Sequence, residues 1–319
     1  MSRVGSKEPF AEGRRDLKEL AGIVVETKQV ERVSEVIGEQ MEAIAARQRT
    51  AAFSGKIVVL KPIPKMYIAI DGTGVPMVRR ETEGRQGKSP TGKAKTREAK
   101  LGCVFSQTVV DDEGWAVRDD DSTTYVSAIE PAGEFGQRIF TEAIRRGLRT
   151  AEKVIVLGDG APWIWNLAGE HFPGATQIVD IYHAREHLSD LSKVLYGPGT
   201  SKTKDWADTR IEDLDAGNIE ALLAAMRRLR PNTQTARDEV RKAVEYFNTN
   251  AERMRYGQFR HQGLFVASGV VEAGCKTIVG QRLKQSGMHW TVRGANAIMA
   301  LRYWDLSGRW EQFWEARSA

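Results

Sequence analysis

Cysteine is nearly missing from this chain: 319 residues include two, Cys103 and Cys275. Two cysteines cannot build a four-cysteine zinc site or a disulfide framework, and such sparing use fits a reducing compartment. Long apolar runs are missing as well. No stretch of about eighteen apolar residues occurs, so no membrane span is expected. The opening residues, Met1-Ser2-Arg3-Val4-Gly5-Ser6-Lys7-Glu8, lack the apolar segment of a signal peptide. The expectation is a soluble, cytoplasmic protein.

What is present is charge. Charged residues make up 28% of the chain, with net charge +5 and a sequence pI near 9.1. Such a basic surplus is compatible with a polyanionic partner without requiring one. The apolar fraction of 41% is enough for a real core, and the length suits one large domain or two to three small ones.

Residues 1–55 are polar and helical in pattern. Val30, Val33, Val36 and Ile37 form one apolar stripe, which Met41 and Ile44 extend. Thr27 reads as an N-cap and Gly38 as a break or turn. Two short helices about a glycine turn are half of a helix-turn-helix DNA reader; the plainer reading is a helical arm packed on the next domain. From residue 56 the texture turns to strands. Residues 65–71 read as the first. Residues 79–100 read as a mobile basic loop, since nothing periodic survives there. Residues 101–110 and 115–129 read as strands joined by a hairpin turn at 111–114. A helix from Pro131 to about Gly147 precedes a strand ending at Asp159. A helix from Pro162, a strand over 176–182 and a helix carrying His183, His187, Leu188 and Leu191 follow. Residues 199–256 read as helices broken at Pro231 and Asn232, 257–269 as a loop, and 270–285 and 294–304 as helices. Three antiparallel-type strands followed by βαβαβ is the order of a ribonuclease-H-like sheet. The expected fold is therefore α/β, a ribonuclease-H-like mixed sheet with a helical insertion at 199–256 and an N-terminal helical arm at 1–55. The core then occupies 56–198 and 257–319.

Two of the strand-like runs deliver an aspartate followed by glycine: Ile70-Asp71-Gly72 and Gly158-Asp159-Gly160. Either aspartate alone is ordinary turn chemistry. As a pair on neighbouring strands they point to a shared cation, which relieves the repulsion of two carboxylates. Glu272, on the first turn of a later helix, is the third acid. Glutamate there is favourable with the helix dipole alone, but its small neighbours Ala273 and Gly274 let a metal or a DNA backbone come close. Oxygen-only ligands favour Mg²⁺ or Mn²⁺ over Zn²⁺. Asp71, Asp159 and Glu272 on such a frame suggest metal-assisted phosphoryl transfer on nucleic acid.

Asp180, Tyr182, His183 and His187 form a second cluster at the end of the 176–182 strand. His183 and His187 share one helix face, yet the spacing is not His-Glu-x-x-His and no clear third zinc ligand accompanies them. Hydrogen-bonding, DNA-positioning and structural roles stay open. Gly72-x-Gly74 lacks the third glycine and the helix of a dinucleotide fingerprint. Trp163 and Trp165 flank the second Asp-Gly as core residues or, for one of them, as a base-stacking surface. The basic loop, with Arg79, Arg80, Arg85, Lys88, Lys93, Lys95, Arg97 and Lys100, and the late segment with Arg282, Lys284, His289, Trp290 and Arg293 are the candidate phosphate contacts.

Four separated motifs carry a family resemblance. They are 71–76 (Asp-Gly-Thr-Gly-Val-Pro), 157–161 (Leu-Gly-Asp-Gly-Ala), 180–188 (Asp-Ile-Tyr-His-Ala-Arg-Glu-His-Leu), and 268–272 (Ser-Gly-Val-Val-Glu) with 287–290 (Gly-Met-His-Trp). In this order they resemble bacterial insertion-sequence transposases of the ISKra group, distant relatives of Mutator-like transposases, from about residue 15 to the C-terminus. The resemblance implies a DDE catalytic domain in which Asp71, Asp159 and Glu272 hold Mg²⁺ or Mn²⁺, and it matches Asp180 and His183 to the Asp-x-x-His element between the second and third acids. It implies DNA, as element ends and target, for a partner, and a homo-oligomer as the active form. The expected activity is metal-dependent strand cleavage followed by 3′-hydroxyl strand transfer. A structure-selective nuclease of the same fold and an inactive DNA-binding remnant are the alternatives. Relatives begin with a longer N-terminal region, often carrying a cysteine-bearing DNA-binding module, so residues 15–50 are expected to be a remainder of it.

Overall fold

A computed structural model describes residues 1–87 and 92–318. Three helices come first: α1 (Ser2–Lys7), α2 (Phe10–Ala21) and α3 (Thr27–Phe53). Strands β1 (Ile63–Pro76), β2 (Thr96–Gln107), β3 (Val109–Val110), β4 (Ala116–Val117) and β5 (Thr124–Ala128) follow. The alternating part is α4 (Ala132–Arg145), β6 (Ala151–Gly158), α5 (Pro162–His171), β7 (Thr176–Val179) and α6 (Ile181–Tyr196). Helices α7 (Ser201–Asp215), α8 (Ile219–Arg227), α9 (Gln234–Thr249) and α10 (Tyr256–His261) come next. The chain closes with α11 (Gly269–Gly274), a π-helical stretch Cys275–Gly280, α12 (Gln281–Leu283), α13 (Val292–Leu306) and α14 (Trp310–Ser318). The main sheet runs β5-β2-β1-β6-β7. β2 pairs antiparallel with β5, from Lys100 opposite Ala128 to Val104 opposite Thr124, and β6 pairs parallel with β7, from Ile155 opposite Thr176 to Gly158 opposite Val179. That mixed sheet, in that order, is the ribonuclease-H-like arrangement expected. Among the described residues no helix is long and apolar enough to cross a membrane.

The chain packs as two compact units, one of residues 1–106, 120–152 and 269–319, the other of 107–119 and 153–268. In the first, α3 is one unbroken helix. Its buried stripe is Val30, Ser34, Ile37, Gly38 and Met41, and Val36 faces solvent. Gly38 does not break it. A Cβ on Gly38 would stand 2.1 Å from the carbonyl oxygen of Ala297, so the glycine lets α3 and α13 meet backbone to backbone. The cap is Glu26 rather than Thr27: its side chain and that of Gln29 close a reciprocal capping box. The expected loop over 79–100 contains a short 3-10 turn, Arg79–Glu81, and an antiparallel bridge between Gln86 and Lys93, and its last residues belong to β2. Lys88 lies outside the described residues. β1 runs on through Pro76, so Asp71 sits within the strand and not at its end. Gly72 and Gly74 allow this by lying flat against Glu98 and Thr96.

In the second unit β6 and β7 bury Ile155, Val156, Leu157, Ile178 and Val179. The hairpin turn at 111–114 is present, with Gly114 at φ 84°, and it joins the two-residue strands β3 and β4. The expected strand over 115–129 is thus split into β4 and β5. The expected strand over 176–182 stops at Val179, because the Asp180 side chain accepts from the His183 N–H and caps α6. The expected loop over 257–269 begins as α10, and α14 adds a final helix that the reading of the sequence lacks.

The first unit holds charges far from water. Burial alone would raise the Glu142 carboxyl, but Arg309, then Arg145 and the Thr124 hydroxyl at 2.6 Å, hold its pKa down to about 2. Arg138 is likewise clasped by Glu130 and Glu42 at 2.7 to 3.1 Å. A depressed carboxyl stabilises the fold above its unfolded pKa of about 4.3 and loses that contribution as pH falls toward the folded value. Glu142→Gln is therefore expected to lower unfolding free energy at pH 7 by about 3–5 kcal/mol. The variant should also flatten the acid loss of stability between about pH 5 and 2, as read by urea unfolding across pH. An unchanged acid limb would contradict the assignment.

Candidate functional site

Asp71 and Glu272 both belong to the first unit. The Asp71 carboxylate accepts from the Gly72 N–H at 2.6 Å through Oδ1 and from the Cys275 thiol at 3.4 Å through Oδ2. Cys275 is buried, and burial together with the charge of Asp71 pushes the thiol well above its usual range, so it stays a donor. Glu272 lies on α11, one turn before Cys275. The helix widens to π geometry at Cys275, a local irregularity that recurs at functional sites. The contact of Cys275 thus sets the helix of Glu272 against the strand of Asp71. Beyond Asp71, Gly72, Thr73 and Gly74 line a cleft of about 530 Å³ with Lys93 and Lys95 on its wall. Lys284 donates to the Thr73 hydroxyl.

The other predicted cations of this unit are spread differently. Arg79, Arg80, Lys93 and Lys95 are exposed. Arg97 is 3.9 Å from Glu81, and Arg293 pairs with Glu39. Arg282 is wholly buried between the rings of Phe10 and Trp290.

Asp159, Asp180, His183 and His187 belong to the second unit. Asp159 follows β6, and its Oδ1 accepts from the Ala161 N–H at 2.8 Å, closing a side-chain turn. Gly160 holds φ at 98°, and a Cβ there would run into the ring of Tyr246 at 2.6 Å. The Tyr246 hydroxyl donates to the Asp159 carbonyl at 2.9 Å, and its ring packs on His187 with centroids 4.1 Å apart. Burial, then the charges of Asp159 and Asp180, push the Tyr246 phenol up, so it donates throughout the working pH range. Asp180 is completely buried, and its two oxygens take backbone N–H groups from His183 and Ser268. It therefore pins the start of α6 to residue 268. A ring nitrogen of His183 lies within 4.8 Å of a carboxylate oxygen of Asp159 and 3.9 Å from Asp180. His187 is pushed down by burial and by the neighbouring His183. Trp165 is a core residue with Arg253 over its ring at 4.8 Å, and Trp163 is half-buried.

Cys275 and Tyr246 carry parts of this geometry that no sequence pattern marked. Cys275 is a lone thiol in an apolar helix, and Tyr246 is one aromatic among charged helical residues. Neither Asp159 nor Glu272 forms an ion pair with a lysine or arginine among the described residues. A hard divalent cation with oxygen ligands suits such carboxylates. The turn at Asp159 generates an ordering of stabilities. Gly160→Ala is expected to cost more than Tyr246→Phe, the first combining left-handed strain with a ring clash, the second removing one hydrogen bond of about 1 kcal/mol. Urea unfolding of the two variants measures this, and a neutral Gly160→Ala would contradict the described turn.

No curated protein matches the chain. Among solved structures it is similar to one described as the Drosophila P element transposase strand transfer complex, at 10% identity and a TM-score of 0.25, over 96% of this chain and 84% of that one. Residues 142–316, more than half of the sequence, match the family described as Uncharacterised protein family (UPF0236), and the chain belongs to that family.

Proposed function

We propose that this protein is a DNA transposase of the ISKra type, cutting DNA and joining the freed 3′-hydroxyl to a target strand. Asp71, Asp159 and Glu272 are the carboxylates that would hold Mg²⁺ or Mn²⁺. Such cations supply Lewis-acid stabilisation of charge on the attacking and leaving oxygens of an in-line phosphoryl displacement. The observation that supports the reading most is the hydrogen bond from Cys275 to Asp71, which draws the helix of Glu272 toward the Asp71 strand. That neither Glu272 nor Asp159 forms an ion pair with a lysine or arginine among the described residues adds to it.

The chain's own groups have separate tasks in this reading. The Gly72 amide and the Cys275 thiol orient the Asp71 carboxylate. The Ala161 amide orients that of Asp159, while Tyr246 fixes the backbone behind it. Asp180 is a positioning residue through its two amide contacts. Lys93, Lys95 and Lys284 sit at or beside the cleft next to Asp71 and would hold phosphates. Residues 199–256 are a helical insertion between core parts 56–198 and 257–319, and 1–55 is an arm on that core. Element ends and target DNA are the partners, with two copies of the chain in the active complex.

The test is cleavage and strand transfer of DNA carrying element ends, with Mg²⁺. Asp71→Asn, Asp159→Asn and Glu272→Gln should each lower cleavage by about a hundredfold or more. Cys275→Ala should raise the Mg²⁺ concentration needed for half-activity by about tenfold, with Cys275→Ser restoring it, as for other outer partners of metal ligands. Unchanged cleavage in the three acid variants would defeat the assignment. Cutting without any joined product would make the protein a nuclease instead.

A further inference from the structure

The proposed chemistry leaves His183 without a task, although its ring stands beside Asp159. His183 is the third residue of α6, and its backbone amide donates to the Asp180 carboxylate at 2.9 Å. The other Asp180 oxygen takes the Ser268 amide, and Asp180 has no exposed surface. The start of α6 is therefore fixed, and with it the point from which the His183 side chain projects. Its imidazole is partly exposed, and one ring nitrogen lies within 4.8 Å of an Asp159 carboxylate oxygen. Nδ1 is 3.9 Å from Asp180, too far for a hydrogen bond. Among the described residues neither ring nitrogen of His183 has a hydrogen-bond partner.

The neighbouring polar groups are already engaged. Both Asp180 oxygens are taken by amides, so this carboxylate orients α6 and has no oxygen to spare. The ring of His187 packs on that of Tyr246, with centroids 4.1 Å apart. Asp159 uses Oδ1 for the Ala161 amide and pairs with no lysine or arginine among the described residues. A carboxylate without a basic partner, facing an imidazole without a hydrogen bond, suits a cation and not a phosphate.

We propose that His183 is a nitrogen ligand of the divalent cation held by Asp159, and that it turns the site toward Mn²⁺ over Mg²⁺. The proposal rests on the cation assigned to Asp159 above. Imidazole nitrogen suits transition-metal cations, whereas Mg²⁺ takes oxygen ligands and gives up its waters reluctantly. Oxygen and nitrogen ligands stand about 2.1 Å from such ions, so two ligand atoms on one ion are at most about 4.2 Å apart. A small side-chain rotation brings His183 and Asp159 within that limit. Asp180 then acts as the outer partner that holds the ligand's helix in place.

The experiment is binding of Mn²⁺ alone to the full chain, without DNA and in a nitrogen-free buffer, followed by pulsed electron paramagnetic resonance. The spectrum should show the coupling of a directly bound imidazole nitrogen, and chain labelled with heavy nitrogen in histidine should shift it. That coupling should vanish in His183→Ala and in His183→Gln, which keeps bulk but offers no ring nitrogen. Mn²⁺ should bind about tenfold less tightly in either variant, while Mg²⁺, measured by calorimetry, should bind almost as before. Mn²⁺ bound without nitrogen coupling, or coupling that survives both substitutions, would overturn the proposal. Failure of the parent chain to bind Mn²⁺ would overturn it together with the cation at Asp159. Coupling that depends on His183 in a chain that neither cuts nor joins DNA would uphold the ligand and defeat the proposed transposition.

Discussion

A charge removed from water must be met by an opposite charge or by well-aimed N–H groups, and much of this structure obeys that requirement. Glu142 is met by Arg309 and Arg145, Arg138 by Glu42 and Glu130, and Asp180 by two backbone amides. These contacts tie together segments far apart in sequence: α4 to the turn before α14, α3 to α4, and the start of α6 to residue 268. The desolvation cost of each group is repaid only when the whole arrangement forms, which makes such networks specific as well as stabilising.

The proposed chemistry grows out of the same requirement. Asp71 sits inside a long strand, where the Gly72 amide and the Cys275 thiol both donate to it. Asp159 sits in a tight side-chain turn held from behind by Tyr246. Glu272 rides on a helix whose geometry changes at the residue that touches Asp71. Carboxylates placed on these elements, two of them without lysine or arginine partners among the described residues, suit hard cations with oxygen ligands. Arg282 is the contrary case, a guanidinium buried between Phe10 and Trp290 with one nitrogen lacking a hydrogen-bond partner among the described residues.

The order of strands and helices was legible because the apolar runs of β6 and β7 and the amphipathic stripe of α4 dominate local alternatives. Asp159 was legible as a turn residue, since aspartate before glycine has few other uses at a strand end. Asp71 has the same local pattern, yet Gly72 and Gly74 continue the strand close against Glu98 and Thr96 of β2, which no local rule reveals. The β-branched neighbours Val179 and Ile181 favour a strand at Asp180; the cap wins because the buried carboxylate accepts the His183 and Ser268 amides. Glycine in a helical pattern suggests a break, but it also serves close packing of helices, and only the partner helix α13 decides between the two at Gly38. Cys275 and Tyr246 act through contacts with residues 204 and 87 positions away. Arg282 shows the limit most sharply, since charge in sequence suggests a solvent-facing phosphate contact and gives no sign of burial between two rings.

Carboxylates from three separate parts of the chain are proposed to share divalent cations. Anomalous diffraction from crystals of the protein soaked in Mn²⁺ tests it most directly. Manganese is expected to be bounded by Asp71, Asp159 and Glu272, and to be lost in crystals of the Asp159→Asn chain. Manganese bound elsewhere, or bound by only one of the three acids, would contradict it.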